Sequence, residues 1–568
     1  MVLQGKAAAP GAAVGRIFIY NEKLTIPEEN FVPSGEEQSQ FEKYIKIKNQ
    51  AIGELEKIKL SMEKTDPVKA LIFDAQKEIA DDILINEDIK GKIINEKCAA
   101  DWAIYHVYEN VLGVLKKTHD PLIAERAADF NDVRALLLKL WYGRKVNFFS
   151  DIDEPVIIAA KEIMPSNIAS LDKEKILAII TETGGVTSHT AVIAKSYGIP
   201  AVFGIEGLLN TVKQNQIAAI DAGKAVVILD PADDVIREYK NKCEDLRKDR
   251  EDAARYRQNE GRTSCGVKID IGLNISGTSN EELNASSFVD SVGVFRTEFI
   301  YMGRSKLPSE DDQFLIYKKV MERFGTRSVI LRTLDIGGDK KLSCMELPAE
   351  DNPFLGNRAL RFCFSSPAIF KTQLRAALRA SVYGNLWLML PMVASIEDIR
   401  KAKEIIASVR GELDNEGISY KKDFKTGIMI EIPSIALIAE AAAKEVDFAS
   451  IGSNDLCQYL CAADRMNVSV ESYYQSYHPA MLFLIKKVVT AFNDAGKSIS
   501  LCGEIGGDPG AVPLLLGLGL RKISMGGASV AAVKRAIASV TIKKVKEIAD
   551  KALQMETAAE IEKYILNY

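Results

Sequence analysis

Eight short apolar runs recur between residues 267 and 527, each separated from the next by a stretch with helical spacing. They read VKIDIGLNIS, SVGVFR, SVILRTLD, WLMLPMV, TGIMIEI, DFASIG, SISLCGE and RKISMGG. Short apolar runs bounded by turn residues are buried strands, and strands that alternate with helices pair in parallel. Eight such units over about 300 residues predict a (β/α)8 barrel with longer insertions. Such barrels carry their chemistry at the C-terminal ends of the strands. The residues standing there are Arg296, Arg332, Glu431, Asp455 and Cys502.

Upstream, the chain changes character twice. AAVGRIFIY (12–20) reads as a strand, and strand-like runs return with VNFFS, EPVIIAA, KILAII, IAAIDA and AVVILD. Between about residues 36 and 142, charged stretches such as EEQSQFEKYIKIKNQAIGELEKIKLSMEK carry helical periodicity with almost no glycine. That helical block is inserted into a smaller α/β domain. After Pro231, DDVIREYKNKCEDLRKDREDAARYRQNEG is dense in mixed charge, which predicts a solvated helix of roughly 40 Å, ended by Gly261. The expected organisation is multidomain α/β. Residues 1–21 and 146–231 make the α/β domain, 22–145 the helical domain, 232–261 a linker helix and 262–568 the barrel.

A chain of 568 residues exceeds one hydrophobic core, and 47% apolar with 27% charged residues suits several packed domains. The net charge of −5 gives no general attraction to nucleic acid or anionic lipid. No apolar stretch approaches the roughly 20 residues of a membrane helix, and MVLQGKAAAPGAAVG lacks the apolar region of a signal peptide. Eight cysteines with no CxxC pair and no zinc-spaced cluster point to a reduced, cytoplasmic setting.

Only four histidines occur. One, His189, lies in TETGGVTSHTAVIAKSYGIPAV, directly after the strand KILAII. Gly184 and Gly185 suit a tight turn, Thr187 or Ser188 can cap a helix, and TAVIAKSYG keeps helical spacing until Gly198 and Pro200. In a first helical turn, unpaired N–H groups and the helix dipole favour an anion. An imidazole there could carry a phosphoryl group, or serve as a surface or capping residue. Of the others, His106 lies on an amphipathic helix, His119 beside a proline turn, and His478 reads as a helix cap.

Arg296, Arg332, Arg358 and Arg465 would form a cationic cluster at the barrel mouth, since guanidinium forks match phosphate and carboxylate. Paired instead with acids such as Glu298 or Asp335, they would be structural. Glu431 and Asp455 offer two hard oxygen ligands, too few for an all-protein cage but suited to Mg²⁺ completed by water and substrate oxygens; otherwise they bond loop amides. Asn454 could orient a phosphate or help the metal. Together these residues fit a small, strongly anionic, phosphorylated acid.

The combination of GGVTSHTAVIAKSYGIPAV with VGVFRTEFIYM, RTLDIGGDK, NPFLGNRALR, MIEIPS, SIGSNDLCQY, DR, HPA and CGEIGGD resembles enzyme I of the bacterial sugar phosphotransferase system, nearly end to end. These are the phosphoenolpyruvate–protein phosphotransferases. The resemblance implies a cytoplasmic enzyme that moves phosphate from phosphoenolpyruvate to its own histidine, releasing pyruvate, then to a histidine of the small carrier HPr. It assigns phosphorylation to His189, phosphoenolpyruvate binding to Arg296, Arg332, Asn454, Asp455 and Arg465, Mg²⁺ to Glu431 and Asp455, and proton donation to Cys502. The implied fold is a swivelling phosphohistidine α/β domain, an inserted helical domain that docks HPr, a helical linker, and a (β/α)8 barrel that forms a homodimer.

Some positions depart from that pattern. Val186 replaces a common arginine, Ile168 a threonine that often partners the histidine, and Gln76 a frequent histidine of the helical domain; these bear on which carrier is used. Cys457 and Cys461 suit core filling better than a metal. Pyruvate phosphate dikinase and phosphoenolpyruvate synthase share the histidine domain and barrel but need a nucleotide-binding domain, for which this chain has neither a GxxxxGK[ST] loop nor room. A noncatalytic phosphoenolpyruvate sensor is the reading from another class, and the presence of both His189 and Cys502 argues against it.

Overall fold

The computed structural model describes residues 1–20, 26–63, 67–117, 121–143, 152–163, 175–184, 191, 194, 198–278, 280–302, 304, 306–338, 345, 348, 350–465 and 467–566. It divides into two compact units, Met1–Asp249 and Arg250–Tyr568.

The first unit contains strands β1 (Val2–Gln4), β2 (Lys6–Ala9), β3 (Ala12–Tyr20), β4 (Val156–Ala160), β5 (Ile176–Thr181), β6 (Ala201–Phe203), β7 (Ile217–Asp221) and β8 (Val226–Leu229). They form one sheet in the order β1-β8-β7-β3-β4-β5-β6-β2. The segment β3-β4-β5-β6 is parallel. Along β4 the period-2 alternation of a strand sends Val156, Ile158 and Ala160 to one core and Ile157 and Ala159 to the other, so both faces of the sheet are covered.

Among the described residues, the chain between parallel neighbours β3 and β4 holds five helices: α1 (Glu37–Glu63), α2 (Pro67–Ala80), α3 (Ile83–Ile94), α4 (Ala100–Lys117) and α5 (Pro121–Trp141). This is the inserted helical block, packed on its own core around Tyr44, Ile89, Ile104, Tyr108 and Leu137. Helix α6 (Asp233–Arg255) follows the sheet. It stops short of Gly261 because Tyr256 and Arg257 bond back to the carbonyls of Ala253 and Ala254, tightening its last turn. The predicted strand VNFFS lies outside the described residues.

Each of the eight apolar runs overlaps one strand of a closed parallel barrel: β9 (Asp270–Ile275), β10 (Ser291–Phe295), β11 (Ser328–Arg332), β12 (Asn385–Leu390), β13 (Lys425–Ile430), β14 (Phe448–Ile451), β15 (Ser498–Leu501) and β16 (Lys522–Met525). Closure comes from β16 pairing with β9. Ile271, Leu273, Ile428 and Ile499 face the outer helices, while Ile330, Met389, Met429 and Phe448 fill the interior. The surrounding helices include α7 (Glu310–Phe324), α8 (Pro367–Ala380), α9 (Ile396–Asn415), α10 (Ser453–Cys461) and α11 (Pro479–Asp494). Capping boxes at Ser309–Asp312 and Ser395–Asp398 fix where α7 and α9 begin. Among the described residues, no helix is long and apolar enough to cross a membrane.

Candidate active site

Strand β11 ends on Arg332, which is buried. Its Nη2 donates to Glu298 and lies 3.2 Å from Asp335 Oδ2. Its Nη1 approaches the Met429 sulfur at 3.8 Å, and its Nε has no partner. Burial disfavours the charge, but Glu298, Asp335, Glu431 and Asp455 outweigh that and push its pKa up. Arg332 is therefore a permanent cation with N–H groups to spare.

Arg358 is also fully buried. It donates from Nε to Asp335 Oδ1 at 2.9 Å and from Nη2 to Asp335 Oδ2 at 3.1 Å. Its Nη1 reaches both Asp455 Oδ1 and Tyr459 Oη at 3.2 Å. The next residue, Ala359, has φ +55°, a conformation that side chains with a Cβ rarely take, held by its N–H bond to the Ile336 carbonyl. The sequence left Arg358 open between a substrate anion and a structural pairing with an acid such as Asp335. Here every one of its guanidinium nitrogens is committed to protein oxygens, so it orients Asp335 and Asp455.

Glu431 follows β13 and is completely buried. Oε1 accepts from the Met392 N–H at 2.6 Å, whereas Oε2 has no partner. Gly452 leaves space beside it: a Cβ there would stand 3.0 Å from Oε2. Burial, then Asp455 and Asp335, raise the Glu431 carboxyl to about 8. A buried carboxylate oxygen without a donor, near a second carboxylate, fits a cation. No group of three or more His, Cys, Asp or Glu is arranged for a metal among the described residues, so a cation held here would need further ligands from water or substrate.

Asn454 and Asp455 occupy the first turn of α10. Asn454 Oδ1 accepts from the Glu504 N–H at 3.0 Å, which ties α10 to the loop after β15 and leaves the amide nitrogen without a protein acceptor among the described residues. Cys502 begins that loop, buried against Val294, Ile330, Met389, Met429 and Phe448. Its thiol donates to the Ile451 carbonyl at 3.6 Å. Burial pushes the thiol pKa up, while the Ser450 hydroxyl, Arg332 and Arg296 pull it down and Glu431 adds to the rise. Arg296, exposed after β10, and Arg465, half-buried after α10, form no ion pair with a described residue.

A family model described as PEP-utilising enzyme, PEP-binding domain, matches residues 250–542. Two more, the mobile domain and the N-terminal domain of the same enzymes, match 152–225 and 4–126. The chain is 40% identical to the phosphoenolpyruvate-protein phosphotransferase of Staphylococcus carnosus, covering 100% of this chain and 99% of that one. It is 39% identical to the Staphylococcus aureus protein of the same name and 37% to that of Mycoplasma capricolum, with 99% and 98% of those chains covered. This chain is a member of the phosphoenolpyruvate–protein phosphotransferase family.

For a phosphotransferase of this family the remaining positions divide simply. His189, Val186 and Ile168 lie outside the described residues. The turn that leads to them is described as far as Gly184, which has φ +107° as a tight turn after β5 requires. His478 caps α11, its Nδ1 accepting from the Ala480 N–H, and His106 lies on α4 against Trp102. Gln76 is buried and donates to Asp129 and Asp132 at 3.3 and 3.2 Å. Cys457 packs in the barrel core with its thiol pushed up to about 12 by burial, as a core-filling residue would be. Sequence reasoning passed over Tyr459, which bridges Arg358 and the Phe354 carbonyl. Its place four residues after Asp455, on the same face of α10, was the available signal.

Proposed function

We propose that this chain takes the phosphoryl group of phosphoenolpyruvate onto His189, releases pyruvate, and passes the phosphoryl group to a histidine of an HPr-like carrier. The observation that carries the reading is the buried set at the strand ends: Arg332 with free N–H groups, and Glu431 Oε2 without a donor. Arg332, Arg296 and Arg465 supply fixed positive charge for the phosphate and carboxylate of the substrate, and the Asn454 amide adds a donor. Donors and charges set before the reaction stabilise a transition state without reorganising, which is the main lever in phosphoryl transfer.

Glu431 and Asp455 would hold a divalent ion, Mg²⁺ in this reading, whose chemistry is to neutralise charge on phosphoryl and enolate oxygens. Arg358 and Asp335 keep Asp455 and Arg332 oriented. Cys502, held protonated by its burial, gives its proton to the methylene carbon of the enolate that remains. Docking of the carrier on the helical domain and dimerisation through the barrel come from the family resemblance.

The test is incubation with phosphate-labelled phosphoenolpyruvate and Mg²⁺, followed by assay for acid-labile label on the protein. Label that then moves to a histidine carrier is expected. Substrate binding without label transfer would favour the noncatalytic sensor.

A further inference from the structure

The barrel interior is not apolar all round. In register with Met429 on β13, strand β14 places Ser450, and β15 places Ser500 in register with Ser450. Ala449 and Ile451, on either side of Ser450, face the outer core, so by strand alternation Ser450 points inward, like Phe448. Ser450 is completely buried, and its Oγ has no hydrogen-bond partner. A buried hydroxyl left in this state destabilises the fold, and an alanine would spare that cost. The reactive group beside it is Cys502, just past the end of β15: it lines the same interior, and its N–H and thiol bond the carbonyl of Ile451, the residue after Ser450, at 3.0 and 3.6 Å.

We propose that Ser450 is a positioning residue for proton donation: its hydroxyl hydrogen-bonds the Cys502 sulfur as that sulfur gives up its proton. The inference rests on the reading of Cys502 as the donor. When phosphate has left, the electron pair of the enolate carbon–carbon double bond takes the thiol proton. A carbon–hydrogen bond forms, the sulfur–hydrogen bond breaks, and its electron pair stays on sulfur as thiolate. That thiolate sits among Val294, Ile330, Met389, Met429 and Phe448. Arg332 and Arg296 favour it through space and Glu431 opposes it. Ser450 supplies the hydroxyl donor to the sulfur, and solvent returns the proton after pyruvate departs. A hydrogen bond to a charged group is stronger than one between neutral groups, so the hydroxyl favours the thiolate over the thiol.

The experiment compares Ser450→Ala, Ser450→Thr, Cys502→Ala and the Ser450→Ala/Cys502→Ala double variant of the full chain. It follows single-turnover pyruvate formation from phosphoenolpyruvate with Mg²⁺, together with phosphoenolpyruvate affinity and thermal midpoint. Ser450→Ala should slow pyruvate formation about tenfold or more, with affinity unchanged and the midpoint equal or higher. Ser450→Thr, which keeps the hydroxyl, should recover most of the rate, and the double variant should be no slower than Cys502→Ala. A full rate in Ser450→Ala, or a further loss on adding it to Cys502→Ala, would overturn the role of Ser450. If Cys502→Ala itself forms pyruvate at the normal rate, the donor assignment falls, and the role of Ser450 falls with it.

Discussion

Arg358 grips Asp335 with two parallel hydrogen bonds, Nε to Oδ1 at 2.9 Å and Nη2 to Oδ2 at 3.1 Å, and neither side chain is exposed to solvent. The same guanidinium also reaches Asp455, so one side chain fixes two carboxylates of the site. Its removal leaves buried negative charges without their cation. Arg358→Ala should lower stability by about 3–5 kcal/mol, read as a shift in the urea transition of the barrel, and should abolish autophosphorylation. Arg358→Lys should fail as well, because a point charge cannot reproduce the two-pronged contact.

Arg332 carries the cationic side of the site. Its Nη2 is taken by Glu298 and Asp335, while Nε has no protein partner. Arg332→Ala should slow single-turnover phosphorylation by about 10²–10³, with the fold retained as judged by circular dichroism. Equal rates in variant and parent would remove Arg332 from the chemistry.

The Glu431 carboxyl gives a pH signature in the metal-free protein. Its folded pKa of about 8 lies above the ordinary carboxyl value, so the folded state holds this proton more tightly than the unfolded state. Its contribution to stability is complete below about pH 4.5 and is lost as pH rises toward 8. In chelator, Glu431→Gln should flatten the fall in thermal midpoint across that window relative to the parent. Parallel profiles would contradict the assignment.

Most of this architecture was legible because it rests on periodicity. All eight barrel runs became strands, and Arg296, Arg332, Glu431, Asp455 and Cys502 stand at or just past the strand ends. The short strands β1, β2 and β6 escaped notice, since three or four residues, several of them alanine, carry too little pattern. What the sequence could not convey was which cations are spoken for. Arg332 and Arg358 look alike in the chain, yet the Nε of one has no partner while every guanidinium nitrogen of the other bonds Asp335, Asp455 or Tyr459. That difference arises from contacts between residues 23 to 101 positions apart.

Two cysteines should differ sharply in reactivity. Cys265 is exposed, and the Thr263 hydroxyl and Ile542 N–H pull its thiol down. Burial pushes the Cys502 thiol up. Since the thiolate is the nucleophile, iodoacetamide at neutral pH should alkylate Cys265 first among these two, with Cys502 protected, as followed by peptide mass spectrometry. Early labelling of Cys502 would mean that it is already a thiolate and is unsuited to donate a proton.

The central claim is that a histidine of this chain accepts phosphate directly from phosphoenolpyruvate. The decisive measurement maps the label after incubation with phosphate-labelled phosphoenolpyruvate and Mg²⁺, in the parent chain and in His189→Ala. Acid-labile phosphate on the His189 peptide of the parent, and none on the variant despite unchanged phosphoenolpyruvate binding, is the expected result. Undiminished labelling of His189→Ala, or a parent chain that binds phosphoenolpyruvate and never becomes labelled, would contradict it.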